Sequence, residues 1–160
     1  MKLNQVLSAS TIPVVILLLM GFAGCKGGSK ATSSPDTVPG DLKIIFGRMG
    51  TFGGRSMGYS ISGNGDIVRW EGKYPEENIQ ANAKADTESV RRLWARAEEI
   101  GFLQLKYQDM TVVGSFINVT AGGESRRVVW GDQDDGVPTG VKEFYEECLE
   151  VARKKIMNDE

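Results

Sequence analysis

The sequence predicts an α+β domain, with an antiparallel β-sheet of about five strands and two helices on one face. Two observations carry this prediction. Short runs with alternating apolar residues are joined by glycine turns, and two apolar stripes at helical spacing follow separate strand pairs. The expected element order is therefore strand, hairpin, helix, hairpin, helix. Strands that pair locally and leave two helices over favour a sheet that is covered on one side.

The first strand and the first hairpin are expected early in the domain. Leu42–Phe46 is a short apolar run, and apolar side chains alternate with small or polar ones over residues 57–62. Asn64-Gly65 follows, which is a strong signal for a two-residue hairpin turn. A two-residue turn pairs Ile61 with Val68 and Tyr59 with Trp70.

The first helix is predicted from apolar residues spaced i, i+3, i+4, i+7 and i+10. These residues are Val90, Leu93, Trp94, Ala97 and Ile100. Asp86 or Thr87 is suited to cap the start of this helix, and Gly101 is suited to end it.

A second hairpin and a second helix complete the domain. Val112–Ala121 and Glu124–Trp130 are expected to pair about Gly122-Gly123, which places Ile117 opposite Val128. The second helix carries the apolar stripe Val141, Phe144, Tyr145, Cys148, Leu149 and Ala152.

Composition excludes several classes of function. The chain has 160 residues, which suits one domain, and its net charge of −2 gives no basic footprint for nucleic acid. It contains no histidine, which excludes Ser-His-Asp and Cys-His catalysis and histidine-ligated zinc. We therefore expect no nucleic-acid partner and no cofactor, and we expect that the protein is not an enzyme.

The N-terminus predicts export. Lys2 precedes a short apolar run, Ile12–Met20, which is followed by small residues and a cysteine. Phe22-Ala23-Gly24-Cys25 resembles the lipobox of bacterial lipoproteins. The resemblance implies cleavage between Gly24 and Cys25, with acyl chains on the Cys25 sulfur that hold the protein on a membrane of the cell envelope. A secreted soluble protein and a retained signal anchor are the alternatives.

This interpretation divides the chain into three parts. Residues 1–24 are the expected signal peptide, and residues 25–40 are a lipidated tether rich in Gly, Ser and Pro. Residues 41–157 are the single α+β domain, expected outside the cytoplasm. Which membrane holds the anchor is left open.

Four features of the sequence are candidates for chemical sites. Gly54–Gly58 matches the Gly-x-Ser-x-Gly elbow, but a strand follows it and no histidine exists. Gly47–Gly54 lacks the Gly-Lys-Ser/Thr ending of a phosphate loop. Asp132–Gly136 lacks the spacing of an EF-hand loop. Cys148 lies on the apolar stripe and is expected to be a buried free thiol, so we expect no catalytic residue and no metal site.

A partner-binding surface is expected on the sheet face that the helices leave uncovered. The expected members of that face are Ser60, Ser62, Ile67, Arg69, Glu71, Phe116, Asn118, Thr120, Arg127 and Val129. Phe52 and Arg55 belong to a loop at the edge of the same face, although Phe52 alternatively plugs the end of the sheet. The residues predicted to bind the partner are Phe52, Arg55, Arg69, Phe116 and Arg127.

Several segments resemble a bacterial envelope domain of unknown function. They are Phe46-Gly47-Arg48, Thr51–Gly54, Tyr59–Ile61, Gly65–Val68 and Ile100–Leu103. That family typically has Cys-Phe-Gly-x-Cys-Pro before its tyrosine strand. Thr51 and Arg55 stand where its cysteines would be, so no role of a cysteine pair carries over.

The chain is also similar to emfourin-type inhibitors of thermolysin-like metalloproteases, in a Gly-Phe-Gly-like start and a related element order. The two resemblances support the fold more than the function. The function that we expect is a non-catalytic interaction domain with a protein partner. The alternative function is inhibition of an extracytoplasmic protease.

Overall fold

A six-stranded antiparallel sheet and two helices form the domain, as seen in a computed structural model that describes residues 37–51, 54–107, 111, 113–133 and 136–159. The described residues all belong to one compact unit, Thr32–Glu160. The expected α+β class is confirmed. The expected signal peptide, Cys25, the tether up to residue 36 and Phe52 lie outside the described residues.

The sheet has the spatial order β4-β3-β2-β1-β5-β6, so the first strand lies near its centre. A short 3₁₀ turn, Phe102–Gln104, follows the first helix. The strands and helices are β1 Lys43–Thr51, β2 Arg55–Ser62, β3 Asp66–Gly72, β4 Ile79–Lys84, α1 Thr87–Glu99, β5 Gly114–Ala121, β6 Glu124–Trp130 and α2 Val141–Asp159. The strand that the sequence did not predict is β4.

The first hairpin differs from its predicted pairing by one residue. Ile61 pairs with Ile67, because the connection between Ser62 and Asp66 has three residues and not two. The Gly65 amide donates to the Ser62 carbonyl at 2.8 Å, and Gly65 adopts a φ of 92° that favours glycine. The predicted pairing of Ile61 with Val68 is therefore wrong. A shift of one residue moves every side chain of β3 to the opposite face.

The second hairpin has its predicted register, with Ile117 opposite Val128. Gly122 and Gly123 both have positive φ, 60° and 76°, as a type I′ turn requires. The Asp41 carboxylate accepts hydrogen bonds from both of their amides, at 2.8 and 2.7 Å. These two bonds hold the pKa of Asp41 below its usual value and fasten the entry to β1 onto the β5–β6 turn.

The two helices are tied together at both ends. Asp86 caps α1 by accepting from the Ser89 amide at 2.8 Å, and it also accepts from Lys155 of α2 at 2.8 Å. Near the other end of α1, Arg96 lies 3.4 Å from Glu147. Since Lys155 follows Glu147 in α2 while Asp86 precedes Arg96, the helices run antiparallel.

The hydrophobic core lies between the helices and one face of the sheet. The sheet contributes Ile44, Phe46, Ile61, Ile67, Ile117, Val119 and Val128, and the helices contribute Leu93, Trp94, Phe144, Cys148 and Ala152. Cys148 is a fully buried free thiol, as expected, and burial raises its pKa well above the ordinary value. The sheet residues of this core all share one face, so the helices leave the other face open.

Candidate functional site

The sheet face opposite the helices, called the open face below, centres on two aromatic rings. Alternation along the strands places on it Ile45, Gly47, Gly58, Ser60, Val68, Trp70, Phe116, Asn118, Arg127 and Val129. One row across five strands runs Trp70, Gly58, Gly47, Phe116 and Val129. The predicted face includes Phe116 and Val129 of this row but not Trp70, because the predicted pairing of Tyr59 with Trp70 places the indole on the helix side.

The lack of a side chain at Gly58 lets the rings of Trp70 and Phe116 meet across the sheet. Trp70 and Phe116 lie three strand spacings apart, which is about 14 Å at ~4.8 Å a strand, yet their ring centroids are 6.4 Å apart. A Cβ on Gly58 would lie 2.8 Å from Cζ2 of Trp70. The indole therefore extends over Gly58 towards Phe116, and both rings are almost completely buried.

Arg127 covers the outer side of Phe116. Its guanidinium carbon lies 4.6 Å from the centroid of the phenyl ring, a cation–π contact, and Nη2 donates to the sulfur of Met49 at 3.6 Å. Partial desolvation of the guanidinium lowers the pKa of Arg127, although the residue as a whole is exposed. Among the described residues no carboxylate forms an ion pair with it. Arg127 is thus a positioned cation on an exposed residue.

The other half of the open face is covered by the loop between β3 and β4. Glu76, in this loop, has a φ of 62°, and its carboxylate accepts from Lys43 at 2.7 Å and from Ser60 at 2.5 Å. Burial raises the pKa of Glu76, but these two donors lower it by more, so that it stays below its usual value. Ser60 is consequently buried, and the accessible part of the open face is the half around Arg127.

The predicted binding residues do not form one surface. Phe116 and Arg127 meet on the open face as expected, but the register shift places Arg69, with Ile67 and Glu71, on the helix side. Arg55 lies on the helix side too, because its guanidinium is 3.8 Å from Glu71. These placements correct the predicted face for Ile67, Arg69, Glu71 and Arg55. Phe52 lies outside the described residues.

A small cavity lies on the helix side, between β1, β2, β3 and α2. Its volume is about 170 Å³, and its lining includes Arg48, Tyr59, Arg69, Glu71, Tyr145 and Arg153. Burial raises the pKa of Tyr145, whose side chain hydrogen-bonds to Ser115. Arg48 donates from one nitrogen to both oxygens of Asp132, at 2.8 and 2.9 Å. Arg69 is among the predicted binding residues, whereas no local pattern in the sequence indicates that Arg153 of α2 lines the same cavity.

The segments that were weighed as catalytic or metal sites have structural roles. Ser56 of the Gly-x-Ser-x-Gly match lies within β2, paired with Gly72, so it does not stand on a strand-to-helix elbow. Asp132 is engaged by Arg48. Across the described ranges, no three His, Cys, Asp or Glu side chains gather closely enough to hold a metal ion.

The described part of the chain contains no helix that is both long and apolar enough to cross a membrane. In comparisons with known proteins, no protein-family model matches this chain, and no curated protein matches it.

Proposed function

We propose that this chain is a lipoprotein of a bacterial cell envelope, anchored by acyl chains on Cys25, whose domain binds a protein partner and is not catalytic. The anchor rests on the lipobox-like sequence Phe22–Cys25, which follows a short apolar run. The binding role rests on a single structural observation, the guanidinium of Arg127 held on the ring of Phe116 and ion-paired with no carboxylate of the described residues.

This arrangement suits a partner that brings an acidic side chain. The stacking contact and the bond to Met49 already fix the guanidinium, so that binding costs little further ordering of this side chain. A carboxylate placed over Arg127 would form charge-assisted hydrogen bonds, which are stronger than neutral ones. Val129 and Ile45, partly buried on the same face, add an apolar margin. Arginine and aromatic residues together are typical of the few residues that dominate binding energy.

The anchor is tested by Cys25→Ser. The variant should show no lipid labelling and should accumulate as a precursor of higher apparent mass, because the thiolate that accepts the lipid is gone. Labelling with a fatty-acid analogue and fractionation of membranes measure both effects. Normal processing and membrane retention of this variant would contradict the proposal.

The partner surface is tested by crosslinking in cells from a photoreactive residue at position 129, next to Arg127 on the open face. Arg127→Ala should lose the crosslinked partner, whereas Arg91→Ala, an exposed arginine of α1 paired with Glu88, should keep it. Capture that survives Arg127→Ala would move the binding surface elsewhere. If the captured partner is a protease and its activity falls in the complex, the function is protease inhibition, the alternative stated above.

A further inference from the structure

We propose that the cavity on the helix side of the sheet is a second binding site, which takes a small oxyanion, a phosphate or carboxylate group, between Arg69 and Arg153. The charged residues of its lining, Arg48, Arg69, Glu71 and Arg153, lie on the helix side of the sheet, opposite the face that carries Arg127. It goes beyond the proposed partner binding and does not depend on it.

The cavity has the size of a small ligand. Its volume of about 170 Å³ is room for roughly five or six water molecules at ~30 Å³ each. Tyr59, Tyr145 and Leu149 provide part of its wall, and Gln80 adds an amide. A phosphate or carboxylate group fits this volume together with a short apolar or aromatic body against the tyrosines and the leucine.

The charges around the cavity do not cancel. Arg48 is already satisfied by Asp132, at 2.8 and 2.9 Å. The acidic group in the lining, Glu71, lies 3.8 Å from Arg55. Arg69 and Arg153 form no ion pair with any described residue. Among the described residues, the cavity therefore has two arginines with no carboxylate within ion-pair distance, and the nearest acidic groups on the helix of Arg153, Glu146 and Glu150, line a neighbouring groove.

The position of these two arginines suits an anion held from two sides. Arg69 projects from β3 and Arg153 from α2, so a ligand between them would link the sheet to the helix. The planar guanidinium fork matches the paired oxygens of phosphate and carboxylate groups, and two forks can engage one such group. Apolar walls beside the forks exclude part of the competing water and strengthen these bonds.

The test is calorimetric titration of the full chain in a neutral detergent. Phenyl phosphate and benzoate are the soluble probes, and a short-chain phosphatidylglycerol, compared with phosphatidylcholine, is the lipid probe. We expect one saturable site, with Kd weakened about tenfold or more in Arg69→Gln and in Arg153→Gln, because each loses charge-assisted hydrogen bonds. Arg92→Gln is the matched control, since Arg92 is an exposed arginine of α1 that also forms no described ion pair. Its Kd should stay within about twofold of the parent value.

The soluble and lipid probes distinguish the source of the anion. Binding of phenyl phosphate or benzoate that depends on Arg69 and Arg153 supports a soluble ligand, and binding of phosphatidylglycerol alone supports a lipid headgroup. Equal circular dichroism spectra and melting temperatures show that the variants are folded. If a variant unfolds, a measurement on the parent chain takes its place: the bound probe should protect Arg69 from modification by phenylglyoxal. Absence of saturable binding by every probe up to about 10 mM, or equal affinity in folded Arg69→Gln and Arg153→Gln, overturns the proposal.

Discussion

Gly58→Ala is the substitution whose effect the sheet geometry defines most sharply. A Cβ at this position would lie 2.2 Å from the carbonyl oxygen of Phe46 and 2.8 Å from Cζ2 of Trp70. Ordinary contacts of a Cβ begin near 3.4 Å, so the added carbon must gain more than about 1 Å from a backbone atom of the neighbouring strand. Because that carbonyl belongs to β1, which pairs with β2 and β5, it cannot retreat without moving the strands around it.

The expected loss of stability comes from two sources. Overpacking of this kind costs about 1–3 kcal/mol. Displacing the Trp70 indole would expose roughly 100 Å² of apolar surface, about half of what a buried tryptophan covers, at a cost of about 2.5 kcal/mol. Reduced entropy of the unfolded chain returns less than about 1 kcal/mol. We therefore expect the free energy of unfolding to fall by about 2.5–5.5 kcal/mol.

Urea denaturation of the full chain, followed by far-ultraviolet circular dichroism, measures this free energy. Gly40→Ala is the matched control, because Gly40 has no positive φ and a Cβ there meets nothing within 4 Å. The control should change stability by less than about 0.5 kcal/mol. A loss below about 1 kcal/mol in Gly58→Ala, against the range expected for overpacking, would refute the argument that Trp70 crosses the sheet over a glycine.

Two further predictions concern the helices. Trp94→Ala should lower the free energy of unfolding by about 3–5 kcal/mol, since Trp94 is 4% exposed in the core. The control Arg92→Ala, at an exposed position of the same helix, should be nearly neutral. An equal effect of both variants in thermal melts would show that the buried face of α1 is misassigned. Hydrogen bonds from Lys155 and Ser89 lower the pKa of Asp86 far below its ordinary 3.8. The folded state therefore binds this proton less readily than the unfolded state, so the contribution of Asp86 is complete above about pH 4 and is lost as pH falls further. Melting temperatures of Asp86→Asn and the parent chain should differ at pH 6 and converge towards pH 2; a constant difference would contradict this linkage.

Much of the local structure could be predicted because it depends on nearby residues. The capping of α1 by Asp86 and the Gly122-Gly123 turn both follow from side-chain or backbone chemistry within a few positions. The register of the second hairpin follows from that turn, since two glycines with positive φ leave a single pairing. The first hairpin contains a similar signal, Asn64-Gly65, but Gly63 before it joins the turn. Which of the two turn lengths forms depends on packing beyond the turn, here on burying Ile67 under the helices.

The strand β4 could not be predicted from its own sequence. Ile79-Gln80-Ala81-Asn82-Ala83-Lys84 contains residues that are mostly depleted in strands. Its pairing comes from its neighbour, because Ala81 lies opposite Arg69 and Ala83 opposite Ile67, and both alanines pack at the margin of the core. The small side chains at these positions leave room for a helix and are not a sequence signal for a strand.

The candidate sites were predictable in part for the same reason. Phe116 and Arg127 lie on a hairpin whose register the sequence determines, so their meeting on the open face could be anticipated. Arg69 lies on the hairpin whose register it does not determine. The cavity between Arg69 and Arg153 joins β3 to a helix more than 70 positions away, a contact for which local pattern carries no information.

The central position of β1 has a mechanical consequence. The segment that precedes the domain enters at Lys43, and β1 is hydrogen-bonded to β2 on one side and to β5 on the other. A force that pulls on the N-terminal segment is therefore loaded onto two ladders at once, together with the bonds between Asp41 and the β5–β6 turn. An edge strand such as β4 is held by one ladder of hydrogen bonds, whereas β1 is held by two. A pulling force at the N-terminal end of the domain therefore acts first on a strand that two ladders of hydrogen bonds hold in place.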